Sequence, residues 1–285
     1  MNMKEFKPVE LFKGIDKVEL LRKLPDNYIQ QQVILGIDIY KYSQYPLIEQ
    51  IYIPVLFDSL YESTVSNVIK CEAFIFNGYG KTEKDFRKKF ISTGDGGFQI
   101  FDNPIQAILF VLCFQLNVKR FVSGSNSNIF RKKLHKIIDS IELRYAITSD
   151  LLYYYNSNFF GPGIINNARI ISKDSLNRLL IDANTMRWFT NNINSLENLM
   201  VLDKELFILT DYFKKYDTSL MSIIFKEKGR FKSVDVLKIG SIKAKETTLD
   251  IYNLHIQALV NLEIDKHPYN EFLITIGNLN TAGIQ

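Results

Sequence analysis

Two aspartates stand where a carboxylate could be held out for chemistry. Asp38 closes QQVILGIDIY, an otherwise apolar run, and Asp95 lies among the glycines of FISTGDGGFQIF. They are 57 positions apart in sequence (95 − 38). Alternating strands and helices between them would let the two strands lie side by side, so that both carboxylates meet at one edge of a sheet. Neighbouring carboxylates repel and resist ionising unless a cation neutralises them. Mg²⁺ or Mn²⁺ suits such oxygen ligands. A pair of these ions can hold a triphosphate and lower the pKa of an attacking hydroxyl. Glycines flanking Asp95 would let a phosphate approach the backbone. An Asp at a strand end also caps turns, and Gly-Asp-Gly is a common turn sequence. The residues alone leave the turn and the metal site both open.

The elements that would position these acids can be read from the pattern. QQVILGIDIY is a strand, being β-branched and too short for a typical helix. Phe90 to Phe101 reads as two short strands joined through Gly94 to Gly97. DNPIQAILFVLCFQL follows as a helix, with Asp102 or Asn103 as cap and Pro104 in its first turn. The helical pattern of PLIEQIYIPVLFDSLYESTVSNVIK is expected to kink or break at Pro54. ELRYAIT is a strand, and NNARIISKDSLNRLLID a helix and then a strand. VDVLKIGSIKAKETTLDIYNLHIQ is a terminal strand pair, in which His255 is a satisfied strand residue. Helices are also expected over Asp16 to Leu24 and in ELFILTDYFKKY, and FRKKLHK reads as a solvated helix face. The organisation expected is an N-terminal helical extension (1–30), a mixed α/β domain (31–257) and a C-terminal tail (258–285).

Composition narrows the class. The chain has 285 residues, 46% hydrophobic, with a net charge of +4. That is enough apolar material for one large core, and too little charge for a surface devoted to nucleic acid. Two cysteines without CxxC spacing argue against structural zinc and suit a reducing compartment. No apolar signal core opens the sequence, and the longest apolar run, Ala107 to Phe114, is too short to span a bilayer of about 30 Å. A soluble cytoplasmic protein with no membrane or nucleic-acid partner is expected.

Taken in order, these segments resemble the class III nucleotidyl cyclases. The resemblance rests on Asp38-Ile39 at a strand end, Gly94-Asp95-Gly96 in a hairpin, the strand ELRYAIT, and the turn and helix FGPGIINNAR, which looks like an Asn-x-x-x-Arg signature. It implies an α+β fold of the ferredoxin-like, palm type, with a mixed sheet backed by helices and a head-to-tail homodimer. Two divalent ions, Mn²⁺ or Mg²⁺, would sit on Asp38, Asp95 and the backbone carbonyl of Ile39. Arg169 would come from the other subunit to stabilise charge on the α-phosphoryl. The reaction implied is attack of a ribose 3′-oxygen on the α-phosphorus of its own triphosphate, releasing pyrophosphate.

The departures from the family pattern bear on the base. Lys41 replaces the usual Gly three positions after the first Asp, and either touches a phosphate or points to water. The signature Asn falls on Ile165, and a local bulge would be needed for Asn166 to take its place. The purine-reading Lys and Asp fall on Ile91 and Asn158. GDGGFQIF, NNARIISKDSLNRLLID and YNLHIQ further resemble the pyrimidine nucleotide cyclases of bacterial anti-phage (Pycsar) signalling, which make cyclic UMP or cyclic CMP. That resemblance implies UTP or CTP as substrate. Tyr40 and Tyr42 are candidate base contacts beside Asp38, and Lys245 is a candidate phosphate contact. The alternatives are an adenylate or guanylate cyclase of ordinary signalling, and a catalytically silent cyclase-like module. Facing carboxylates favour an active site over a silent one, since they are costly without a metal.

Overall fold

The computed structural model describes residues 28–73, 75–124, 128–175, 178–192, 230–243, 248–261, 271–278, 280 and 282–284. The expected helices over Asp16 to Leu24 and in ELFILTDYFKKY, and the candidate Lys245, lie outside these residues.

The centre of the fold is β1 (Ile29–Ile39), and its register sets the rest. On one side it pairs antiparallel with β3 (Gly96–Phe101), placing Asp38 opposite Gly96. On the other it pairs antiparallel with β4 (Leu143–Tyr155), placing Asp38 opposite Arg144. The sheet continues outward through β2 (Phe90–Ser92) beyond β3, and through β6 (Leu179–Asp182), β8 (Thr248–Asn261) and β7 (Arg230–Lys243) beyond β4. β5 (Asn158–Phe160) folds back on β4, and β9 (Glu271–Ile276) pairs with β8. Only β4 and β6 run parallel among the described pairs. The sheet therefore passes beyond residue 257, where the sequence pattern places the end of the domain.

Alternation along β1 splits its side chains between two cores. Val33, Leu35, Ile37 and Ile39 are buried against α1 (Leu47–Cys71) and α3 (Pro104–Val122), with Ile53, Leu60, Phe110 and Phe114 in the same cluster. Between them in sequence, α2 (Glu83–Arg87) starts at a capping box made by Thr82 and Asp85. The helix α3 begins as expected, with Asn103 accepting the Gln106 N–H at 3.0 Å and Pro104 in the first turn. As a whole it is long and apolar enough to cross a membrane, which the eight-residue run alone is not. Most of it is buried between α1 and the sheet.

Pro54 does not break α1. A proline removes the N–H that would bond the carbonyl four residues earlier. That carbonyl belongs to Gln50, and the Tyr42 hydroxyl donates to it at 2.8 Å. The basic α4 (Ile129–Leu134) is only partly the solvated face expected. Lys132 and Lys133 are exposed, whereas Arg131 is buried, its Nε donating to Ser59 Oγ at 3.0 Å and its Nη2 to the Ser59 carbonyl at 2.7 Å.

The opposite face of the sheet carries α5 (Pro162–Lys173), and 183–192 form a further helix, α6. Helix α5 buries Gly163, Asn166, Asn167, Ile170 and Ile171. Asn167 is the clamp: its Nδ2 donates to the carbonyls of Ile34 (2.9 Å) and Ala146 (3.0 Å), holding the helix across β1 and β4 at once. The helix comes so close that a Cβ on Gly36 would lie 2.1 Å from Asn167 Oδ1 and 2.4 Å from Ile171 Cδ1. Gly36→Ala should therefore push α5 off the sheet and cost about 1–3 kcal/mol, read as a lower denaturant midpoint with an unchanged slope. A neutral result would mean that the helix can move aside freely.

Candidate active site

Asp38 and Asp95 meet at one end of the sheet. Asp38 is the last polar residue of β1, and Asp95 ends the turn that opens β3. The turn needs its glycines for two different reasons. Gly94 adopts φ 99°, and a Cβ on Gly96 would lie 2.1 Å from the Ile37 carbonyl. The hairpin can thus lie hard against β1, which brings Asp95 beside Asp38. The buried Gln99 anchors the hairpin from the other face, accepting from the Tyr61 hydroxyl at 2.5 Å and donating to the Phe86 carbonyl at 3.2 Å. The carbonyl of Ile39 ends the strand next to Asp38.

Burial pushes the Asp95 carboxyl above its ordinary range, and the nearby charge of Asp38 pushes it further. The guanidinium of Arg144 and a backbone N–H pull the other way without cancelling the rise. Two acids and one base thus share the site. This imbalance suits a divalent cation, and carboxylates with a backbone carbonyl are hard oxygen donors of the kind Mg²⁺ and Mn²⁺ select.

Arg144 is the site residue that sequence reading missed. Its Nε donates to Asp38 Oδ2 at 2.6 Å and its Nη1 to the Asp174 carbonyl at 2.6 Å. With the guanidinium plane fixed at two points, Asp38 Oδ1 is the oxygen left for another ligand. The signal was present: ELRYAIT is an apolar strand with one guanidinium in it, and antiparallel pairing of that strand with β1 puts Arg144 opposite Asp38.

The other sequence candidates separate. Tyr40 donates its hydroxyl to the Ser175 carbonyl, and its ring lies near both Lys41 Nζ (5.0 Å) and the Arg144 guanidinium (5.8 Å to Cζ). Tyr42 has a structural task, since its hydroxyl bonds the Gln50 carbonyl that Pro54 leaves without a donor. Lys41 is exposed and takes the left-handed backbone, φ 56°. This is the conformation a glycine adopts freely, and costs other residues about 1–2 kcal/mol. Asn166 donates to Asp150 Oδ2 at 3.0 Å from within a continuous α5, so no bulge reassigns it. Arg169 stands three residues further along the same helix, half-buried, and forms no ion pair with Asp38, Asp95 or any other described residue. His255 is buried, with Nδ1 at 3.3 Å from Asp235 Oδ2, the satisfied strand residue expected.

No protein-family model matches the chain, and no curated protein matches it. Solved structures do. The adenylyl cyclase CyaB from P. aeruginosa is 11% identical, with 84% of this chain and 97% of that one covered and a TM-score of 0.41. The guanylyl cyclase Cya2 is 11% identical over 85% of this chain and 96% of that one, with a TM-score of 0.41. An adenylate cyclase from Trypanosoma brucei in its monomeric state is 10% identical over 88% and 96%, with a TM-score of 0.42. At such identities the chemistry has to be read from this chain's own side chains.

The Asp95 charge gives a direct test. A carboxyl with a raised folded-state pKa binds more protons folded than unfolded. Stability then falls as pH rises from the unfolded value through the folded one. Asp95→Asn should therefore raise the melting temperature of metal-free protein at pH 7. The gain should vanish near about pH 3, where the wild-type carboxyl is protonated in both states. Mn²⁺ should raise the melting temperature of wild type more than that of Asp95→Asn. An Asn variant less stable at pH 7 would show that Asp95 is held by favourable partners instead.

Proposed function

We propose that the protein cyclises a nucleoside triphosphate to its 3′,5′-cyclic monophosphate and pyrophosphate, with a pyrimidine triphosphate as substrate. The observation that carries this reading is the convergence of Asp38, Asp95 and Arg144 at one sheet end, with negative charge in excess. Asp38, Asp95 and the Ile39 carbonyl would hold divalent ions, Mn²⁺ or Mg²⁺. When bound, these supply Lewis acidity toward the ribose 3′-hydroxyl and charge neutralisation for the phosphates. Attack of the 3′-oxygen forms the new O–P bond, the α–β phosphoanhydride bond breaks, and the hydroxyl proton passes to solvent.

The chain's own cations have separate parts in this scheme. Arg144 keeps Asp38 oriented and puts a guanidinium beside the triphosphate. Arg169 would act in a second copy's site, on the α-phosphoryl oxygens. Its lack of a described carboxylate partner in its own chain supports that role. So does Ile165, a large apolar side chain left exposed one turn earlier on α5. A second copy in head-to-tail contact would cover Ile165 and complete the site, while Asn166 stays buried behind it on Asp150.

The pyrimidine preference rests on Ile91 and Asn158, which stand where purine-reading cyclases carry Lys and Asp. Tyr40 remains the aromatic candidate near the base, while Lys41 and Lys245 remain candidates for phosphates. A role in anti-phage signalling belongs to the same reading. A second reading, the silent module, draws support from Arg144, which neutralises Asp38 without any metal. That removes part of the argument from facing carboxylates, although Asp95 keeps its uncompensated charge.

Purified protein with Mn²⁺ and each of UTP, CTP, ATP and GTP in turn, read by mass, separates these. Cyclic UMP or cyclic CMP is the expected product. A product from ATP or GTP alone would replace the pyrimidine assignment, and no cyclic product from folded protein would leave the silent module. Asp38→Ala should abolish product, and Arg169→Ala should cut the rate by about 10²–10³-fold. Mixing the two variants should restore part of the activity through hybrid dimers; no recovery would argue against a shared site.

A further inference from the structure

Behind the site runs a second layer of polar contacts. Arg144 reaches past Asp38 to the carbonyl of Asp174. The Asp174 side chain is held in turn by Arg178, whose backbone N–H and Nε donate to its two carboxylate oxygens at 2.9 Å each. Both side chains are 1% exposed. A guanidinium so deeply buried needs acceptors for its other donors. Arg178 finds them outside this turn: Nη1 donates to the carbonyls of Ala282 (2.7 Å) and Asn280 (3.4 Å).

That C-terminal segment is itself tethered. The Ala282 N–H donates to Asn280 Oδ1 at 2.9 Å, and the Ile284 N–H donates to the Ile239 carbonyl of β7 at 3.2 Å. Asn253 Nδ2 on β8 donates to the Asn278 carbonyl at 2.7 Å. On the site's side, Tyr40 adds a further hold by bonding the Ser175 carbonyl. Residues 174 and 175 are thus gripped by Tyr40, just past β1, and by Arg144 of β4 in front, and by Arg178 behind.

We infer that Arg178 is a positioning residue for the metal carboxylate Asp38, acting through Asp174 and Arg144, and that it couples the geometry of Asp38 to the segment around Asn280 and Ala282. The inference rests on the metal-dependent reading of the site. Its chemistry is that of groups behind a metal ligand: removing a partner that orients a ligand typically costs 10–100-fold in metal affinity or activity. Lysine cannot replace this arginine, because an ammonium cannot span a carboxylate and two carbonyls from one plane.

Arg178→Lys keeps a positive charge beside Asp174 and is the first test. Mn²⁺ binding, measured by titration, should weaken by about tenfold to a hundredfold, and kcat should fall by a similar factor with KM for the triphosphate little changed. In the metal-free protein the Arg144 Nε–H resonance should lose its protection from solvent exchange as its bond to Asp38 loosens. Asn280→Ala is the second test. It changes an exposed side chain that shapes the segment facing Arg178, and should move all these readouts in the same direction by less. Should Arg178→Lys not fold, Asn280→Ala decides alone. Unchanged Mn²⁺ affinity and an unchanged Arg144 resonance overturn the inference, even if the melting temperature falls. Wild-type protein that makes no cyclic product overturns the function instead, and the Arg144 resonance still decides whether Arg178 positions it.

Discussion

The pairing of Asp38 with Arg144 across two antiparallel strands is the constraint on which the site depends. Register alone puts them opposite each other, and the pairing of β1 with β3 puts the Asp95 turn on the other flank. A single ion pair there would be ordinary structure. Two acids with one base, partly withdrawn from water, leave one charge whose desolvation is not repaid, and the raised affinity of Asp95 for its proton expresses this. Such a site relaxes by taking up a proton or a cation. The second carboxylate therefore lowers the stability of the metal-free sheet at neutral pH.

The same sheet serves both faces of the problem. Odd-numbered residues of β1 are committed to the core beneath α1 and α3, so its even-numbered residues form the working face. Helix α5 lies on that face only because Gly36 has no side chain and Asn167 bonds a carbonyl on each of two strands. This clamp fixes where Asn166 and Arg169 stand relative to the sheet. The stability of the fold and the placement of the candidate catalytic arginine are therefore one packing problem.

Much of this was legible in the sequence, and the failures have physical causes. Alternation and turn chemistry located β1, the Asp95 hairpin and the Asn103-capped helix, since those signals are local. Pro54 misled because a proline's lost hydrogen bond can be supplied from elsewhere, here by Tyr42. That same bond takes Tyr42 away from base recognition, which its nearness to Asp38 in sequence had suggested. The basic run FRKKLHK concealed a buried residue because Ser59 and Ser63, which receive Arg131, lie far away in sequence. Arg144 was missed for a related reason: a charge inside an apolar strand acquires meaning only once the strand opposite is known.

Lys41 shows how the pattern and the backbone can be reconciled. The glycine expected there marks a left-handed residue, and the backbone at Lys41 is left-handed, so the turn is retained although the residue is not. Hydrogen bonds in the adjoining turn hold the strain: the Gln44 N–H bonds the Lys41 carbonyl at 2.8 Å, and Gln50 Nε2 bonds the Tyr45 carbonyl at 2.7 Å. A left-handed residue held by hydrogen bonds on its far side fixes the path from β1 to α1. That path begins at Asp38. Left-handed backbone is not peculiar to this turn, since Asn156 and Ser157 adopt it between β4 and β5; what distinguishes Lys41 is its place three residues after Asp38, where the conformation sets how the chain leaves the strand end.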